Sequence, residues 1–148
     1  EPELVVVSPL KRALSTALHL GLGEATLVAY PGIREVGSRI PENIARPVDE
    51  LLRDRDLASL PRFEDVSFDL LGGTFPVADD DDEHTLQGFV NWLRSRPERH
   101  IWVVCHHNVI QWLLRDSLKG SRVPNCVPIP MALAGDGAFK PAHALRHA

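Results

Sequence analysis

Cysteine is scarce in this chain. The 148 residues hold two, Cys105 and Cys126, so no disulfide framework is expected and a reducing compartment fits best. Also missing is any apolar run near the roughly 20 residues that a membrane helix needs, and no signal peptide opens the sequence. Excess positive charge is lacking too. A net charge of -4 gives no long-range attraction to a polyanion, which argues against nucleic acid or a membrane surface as partner while leaving room for a local basic pocket. The expectation is a soluble, cytoplasmic chain. No internal repeat is visible, and the length suits one domain, residues 1–148. The sequence opens Glu1-Pro2 rather than with Met and runs into apolar residues at Leu4. It therefore reads as a fragment or an incomplete gene model, an N-terminally incomplete domain.

What is present centres on Ile101 to Leu114. The run Ile101-Trp102-Val103-Val104-Cys105 is apolar without alternation, the pattern of a strand buried on both faces in a parallel sheet. It stops at His106-His107, and beyond Asn108 the residues Val109, Ile110, Leu113, Leu114 and Leu118 recur at helical spacing up to Gly120. A strand that feeds polar, titratable residues into a helix start is where open α/β sheets place ligands. The backbone N–H groups there favour anions, and imidazole titrates near neutrality.

A second junction of this kind lies at the beginning. Leu4 to Val7 reads as a strand, and Ser8-Pro9 as the N-cap and first-turn proline of a helix with Leu10, Ala13, Leu14, Ala17 and Leu18 on its buried face, ended by Gly21. Arg12 and Thr16, four residues apart, project from one side of that helix. Thr26 to Ala29 is a third strand, closed by Pro31-Gly32, with Glu35 just past its end and a loop-like run from Gly37 to Arg46. Pro47 then opens a peripheral helix with Asp49 and Glu50 in its first turn.

Further along, Phe63 to Gly73 has no clean period. The run Asp79 to Glu83 should repel itself and stay solvated, and it lacks the spacing of a calcium loop. Leu86, Phe89, Val90 and Leu93 make an amphipathic helix. Val123 to Ile129 reads as an edge strand limited by Pro124, Pro128 and Pro130, and Gly135 to Ala148 as a loosely ordered tail.

Arg12, Glu35 and His106 each fall just after a strand, and in a parallel sheet the C-terminal ends of strands lie along one edge. A guanidinium to grip a phosphoryl group, a carboxyl to protonate a leaving oxygen and an imidazole form a sensible set for phosphoryl chemistry that calls for no metal and no cofactor. Taken singly, the bland readings are a solvated helix charge for Arg12, a surface carboxylate for Glu35 and a structural imidazole for His106.

The stretch Ser8-Pro9-Leu10-Lys11-Arg12-Ala13-Leu14-Ser15-Thr16-Ala17 resembles the S-P-L-x-R-A-x-x-T-A motif of the histidine phosphatase superfamily. Ile33-Arg34-Glu35 resembles its L-R-E segment, Val104-Cys105-His106-His107 its V-S-H-G segment, and Asn125-Cys126 the Asn-Cys that follows. The spacing of Phe89, Trp92, Leu93 and Arg96 is similar to that of the phosphoglycerate mutase-like proteins of plants, algae and fungi. The resemblance implies a mainly parallel α/β sheet flanked by helices in three layers, and a phosphorylated small molecule as substrate. It also implies roles: Arg12 in the phosphate pocket, Glu35 as general acid or base, and His106, with His107 beside it, stabilising the phosphoryl group.

The superfamily's nucleophile lies in an Arg-His-Gly motif on the first, central strand, upstream of the S-P-L segment, where this sequence has no residues. His107 stands in place of the motif's glycine and crowds the pocket rather than replacing the nucleophile. The parent chemistry, phosphatase or phosphomutase, is therefore expected to be impaired in this chain, and the other class of reading is an inactive module that binds a phospho-ligand or a partner. Leu145-Arg146-His147 superficially resembles the missing segment, as in a permuted copy, but no apolar strand precedes it. A metal site on Cys105, His106 and His107 is disfavoured because neighbours on an extended segment point to opposite faces. Loss of a central strand implies an exposed sheet edge and self-association through it.

Overall fold

The computed structural model describes residues 1–37, 40–72 and 82–142. Its centre is β1 (Leu4–Val7), four apolar residues that are all buried. β1 pairs in parallel with β2 (Thr26–Ala29) on one side and β4 (Ile101–Val104) on the other, and β2 pairs in parallel with the two-residue β3 (Val66–Ser67). The order is β3-β2-β1-β4. Leu4 lies opposite both Thr26 and Ile101, and Val7 opposite both Ala29 and Val104, so three strands end at one level.

Alternation along β1 divides the interior. Val5 and Val7 face α1 (Lys11–Leu18), where Ala13, Leu14, Ala17 and Leu18 are buried with Leu51 of α2 (Val48–Leu52) and Leu57 of α3 (Arg55–Ala58). Leu4 and Val6 face the other way, against Leu86, Phe89 and Leu93 of α4 (Asp82–Arg94) and Val109 of α5 (His107–Leu113). Helices thus cover both faces of a parallel sheet, the three-layer α/β arrangement that the apolar strands and amphipathic helices call for.

Several boundaries differ from the sequence reading. The Ile101 run is not buried on both faces: among the described residues β4 is the end strand, Trp102 is 38% exposed and its neighbours are half-buried. An unalternating apolar run marks a strand between layers, but its place in the sheet depends on its neighbours, and among the described residues β4 has β1 alone. The Ser8-Pro9 helix opening moves to Lys11, because Leu10 is the extended N-cap residue and no side chain caps the helix. The helix after His106 breaks at Leu114 into α5 and α6 (Arg115–Leu118), and Lys119 at φ 48° with Gly120 at φ 83° turns the chain away.

β3 went unread because two residues carry no period. Val123 to Ile129 forms no strand. The ladder forms later, as an antiparallel hairpin of β5 (Met131–Leu133) and β6 (Phe139–Pro141), beyond Pro124, Pro128 and Pro130, with β6 inside the stretch read as a loose tail. Asp79 to Asp81, Ser38, Arg39, His143 and the Leu145-Arg146-His147 segment lie outside the described residues.

Candidate functional site

The level strand ends bring three segments together. β1 delivers Ser8 and, one helical turn on, Arg12. β2 runs through the turn Pro31–Ile33 to Arg34 and Glu35, and β4 leads to Cys105, His106 and His107. Arg12, Thr16, Glu35, Cys105, His106 and His107 line one pocket of about 350 Å³. All four residues singled out from sequence, Arg12, Glu35, His106 and His107, border it.

His106 is 8% exposed and sits at the N-cap position of α5 in extended conformation, its side chain capping nothing. Its Nε2 lies 2.7 Å from the Oγ of fully buried Ser8. Burial, reinforced by the positive charge of Arg12, pushes its pKa down to about 4. The imidazole is neutral at neutral pH. Glu35 accepts from Val36 N–H through Oε1 at 3.0 Å and from Asn108 N–H, in the first turn of α5, through Oε2 at 3.4 Å.

Arg12 is exposed on α1 but not loose. Its Nη1 donates to Glu42 O at 2.8 Å and its Nη2 to Asn43 Oδ1 at 3.0 Å. Asn43, itself buried, uses Nδ2 to donate to Val36 O at 2.9 Å and to Gly37 O at 3.3 Å. One amide thus holds both the guanidinium and the loop that follows Glu35. Thr16 does not present a free hydroxyl, since its Oγ1 donates back to Arg12 O at 3.0 Å. Burial, with the charge of Glu35 adding to it, pushes the Cys105 thiol up to about 12, so this side chain offers no thiolate near neutrality.

Arg12 also borders a larger groove of about 540 Å³ beside Leu10, Lys11, Pro41 and Ile44. Its cations are already engaged: Lys11 and Arg46 both reach Asp54, at 2.9 and 2.7 Å, and Lys11 and Arg46 hold that carboxyl well below the usual carboxylate range. The smaller pocket is the chemically equipped one.

Sequence reasoning missed three contributors. Ser8 looked like a helix cap, yet its Oγ meets His106. Asn43 lay in a run read as loop. Arg34 is 8% exposed, and its Nη1 donates to Glu35 O at 3.2 Å. None of the three carries a periodic signal; Ser8 alone directly follows a strand, and Asn43 lies in the turn Pro41–Asn43, well beyond the end of β2.

Among the described residues no group of three or more His, Cys, Asp or Glu side chains is placed to hold a metal ion, Cys105, His106 and His107 included. No helix among them is long and apolar enough to cross a membrane. Fold and site together define an α/β protein with a pocket of mixed charge at the C-terminal ends of its parallel strands. Comparison with family models, with curated proteins and with solved structures finds no match.

Proposed function

We propose that this chain carries the phosphomonoester site of a histidine phosphatase, of the phosphoglycerate mutase-like kind. The observation that carries the reading is the meeting of Arg12, Glu35 and His106 around one pocket at the C-terminal edge of parallel strands. Arginine has five N–H donors, and the two spent on Glu42 and Asn43 fix the plane of the guanidinium while others remain for phosphoryl oxygens. His106 sits within the same lining to stabilise charge on the transferring group. Glu35, whose Oε2 is only loosely engaged at 3.4 Å, exchanges a proton with the leaving oxygen. The resemblance puts the phosphoryl acceptor in an Arg-His-Gly segment that is not among these residues, so the covalent step is assigned to none of them. The phosphatase or mutase reaction belongs to a protein that carries that segment.

A second reading, a phospho-ligand-binding module without turnover, is favoured by the engagement of His106 Nε2 with Ser8. The open edge of β4, with Trp102 on it, is the surface we assign to self-association.

Calorimetric titration of the chain with inorganic phosphate tests the site. Saturable binding is the expected result, weakened ten- to hundredfold by Arg12→Ala, about 1.5–3 kcal/mol for a charge-assisted contact. Absence of saturable binding to the wild-type chain overturns the proposal. Release of phosphate from an aryl phosphomonoester, assayed on a protein that joins these residues to the Arg-His-Gly segment, separates the two readings: turnover marks an enzyme, and binding without turnover marks the module.

A further inference from the structure

Ser8 and His106 admit a more specific conclusion, which rests on the phosphate-site reading for its use but not for its test. Ser8 Oγ has two partners, the backbone N–H of Leu10 at 3.3 Å and His106 Nε2 at 2.7 Å. The first can only donate. Ser8 is 0% exposed, so its own proton cannot turn to solvent, and among the described residues Nε2 is the one acceptor it reaches. If Nε2 carried the ring proton, two donors would converge on the hydroxyl oxygen and the hydroxyl hydrogen would be buried without an acceptor, which costs about 1–3 kcal/mol. If the hydroxyl donates to Nε2, every group is satisfied: Leu10 N–H to Oγ, and Oγ–H to Nε2.

We infer that Ser8 is a positioning residue that fixes His106 as the Nδ1–H tautomer, so that the neutral imidazole offers the pocket a hydrogen-bond donor. Among the described residues Nδ1 has no hydrogen-bond partner, and no buried side-chain nitrogen or oxygen lacks one. It follows that Nδ1 is not sealed from solvent, and His106 borders the pocket that Arg12 and Glu35 share. The arrangement divides labour. Arg12 supplies the positive charge, and His106 supplies a directed N–H that gains its strength from an anionic acceptor. It excludes His106 as a resting nucleophile or general base, because the one lone-pair nitrogen of the ring is turned inward and occupied by Ser8.

Two-bond proton–nitrogen NMR on the 15N-labelled chain at neutral pH reads the tautomer without reference to any ligand. The expected spectrum assigns the proton of His106 to Nδ1 and leaves Nε2 as the bare, hydrogen-bonded nitrogen; a proton on Nε2 overturns the inference. Ser8→Ala, checked for cooperative unfolding, should give a mixture of tautomers and about tenfold weaker binding of inorganic phosphate. A folded Ser8→Ala chain that keeps the wild-type ring signals also overturns it. Failure of the phosphate-site reading shows up differently: the wild-type ring would carry its proton on Nδ1 while phosphate failed to bind.

Discussion

β1 and β4 are both four-residue apolar runs that end in a polar residue and lead to a helix, yet the molecule uses them in opposite ways. β1 is sealed: every residue is buried, both neighbours are paired, and the helix that follows lies over one face of the sheet while α4 and α5 lie over the other. β4 is paired on one side and carries an indole that is 38% exposed. A hydrogen-bonded pair is split between them, with Ser8 at the end of the sealed strand and His106 at the end of the open one. A rigid strand supplies the hydroxyl that holds the ring, and a strand at the margin supplies the ring itself.

The contrast can be broken most forcefully in the interior. Leu4→Ala, at a position 0% exposed, should lower unfolding free energy by about 3–5 kcal/mol through lost transfer energy and a residual cavity, measured from the shift in urea midpoint. A cost below about 1 kcal/mol would mean that β1 is not the sealed strand described.

The next effect is one of pH. His106 takes up a proton near its ordinary 6.5 when unfolded but only near about 4 when folded. Between those values the unfolded chain binds more protons, so stability from this group is complete above about pH 6.5 and is lost as pH falls toward 4. The loss is on the order of 3 kcal/mol. Because Glu3, Asp54 and Glu98 also have depressed pKa values and lose stability in acid, the measurement is the difference in pH profile between wild type and His106→Gln. Identical profiles would show that the ring is not buried as described.

The smallest effect sharpens the comparison. Trp102→Lys should change monomer stability by less than about 1 kcal/mol, as at other exposed positions, while a charge on an unpaired edge raises the monomer fraction in sedimentation. A large destabilisation would show Trp102 to be covered in solution, and an unchanged sedimentation profile would remove the β4 edge as the self-association surface.

Much of the architecture was legible. The apolar runs at Leu4, Thr26 and Ile101 and the helical periods at Leu10 and Leu86 are local patterns, and local pattern is what a sequence displays. Their order in the sheet was not, because whether Val103 faces a neighbouring strand or solvent depends on pairings far along the chain. The same limit applied to the site. Arg12, Glu35 and His106 were found because each follows a strand, a rule that holds along the sequence. Ser8 and Asn43 act through contacts across it: Asn43 reaches Arg12, 31 residues away, and Ser8 reaches His106, 98 residues away. No window of neighbouring residues contains such a pair.

The pairing of β1 with β4 also sets the order in which the molecule can assemble. Glu3 Oε2 accepts from Arg99 N–H across 96 residues, and Leu4 pairs with Ile101. The β1–β2 ladder closes a short loop and can form early, whereas the β1–β4 ladder must first close a loop of most of the chain, whose entropic cost falls due before its contacts form. On the ribosome, where N-terminal segments emerge first, β1 waits with its β4 side uncovered until Ile101 to Val104 have been made. The pocket therefore cannot exist before β4 does, and a nascent chain stalled before Ile101 has Arg12 and Glu35 but no site.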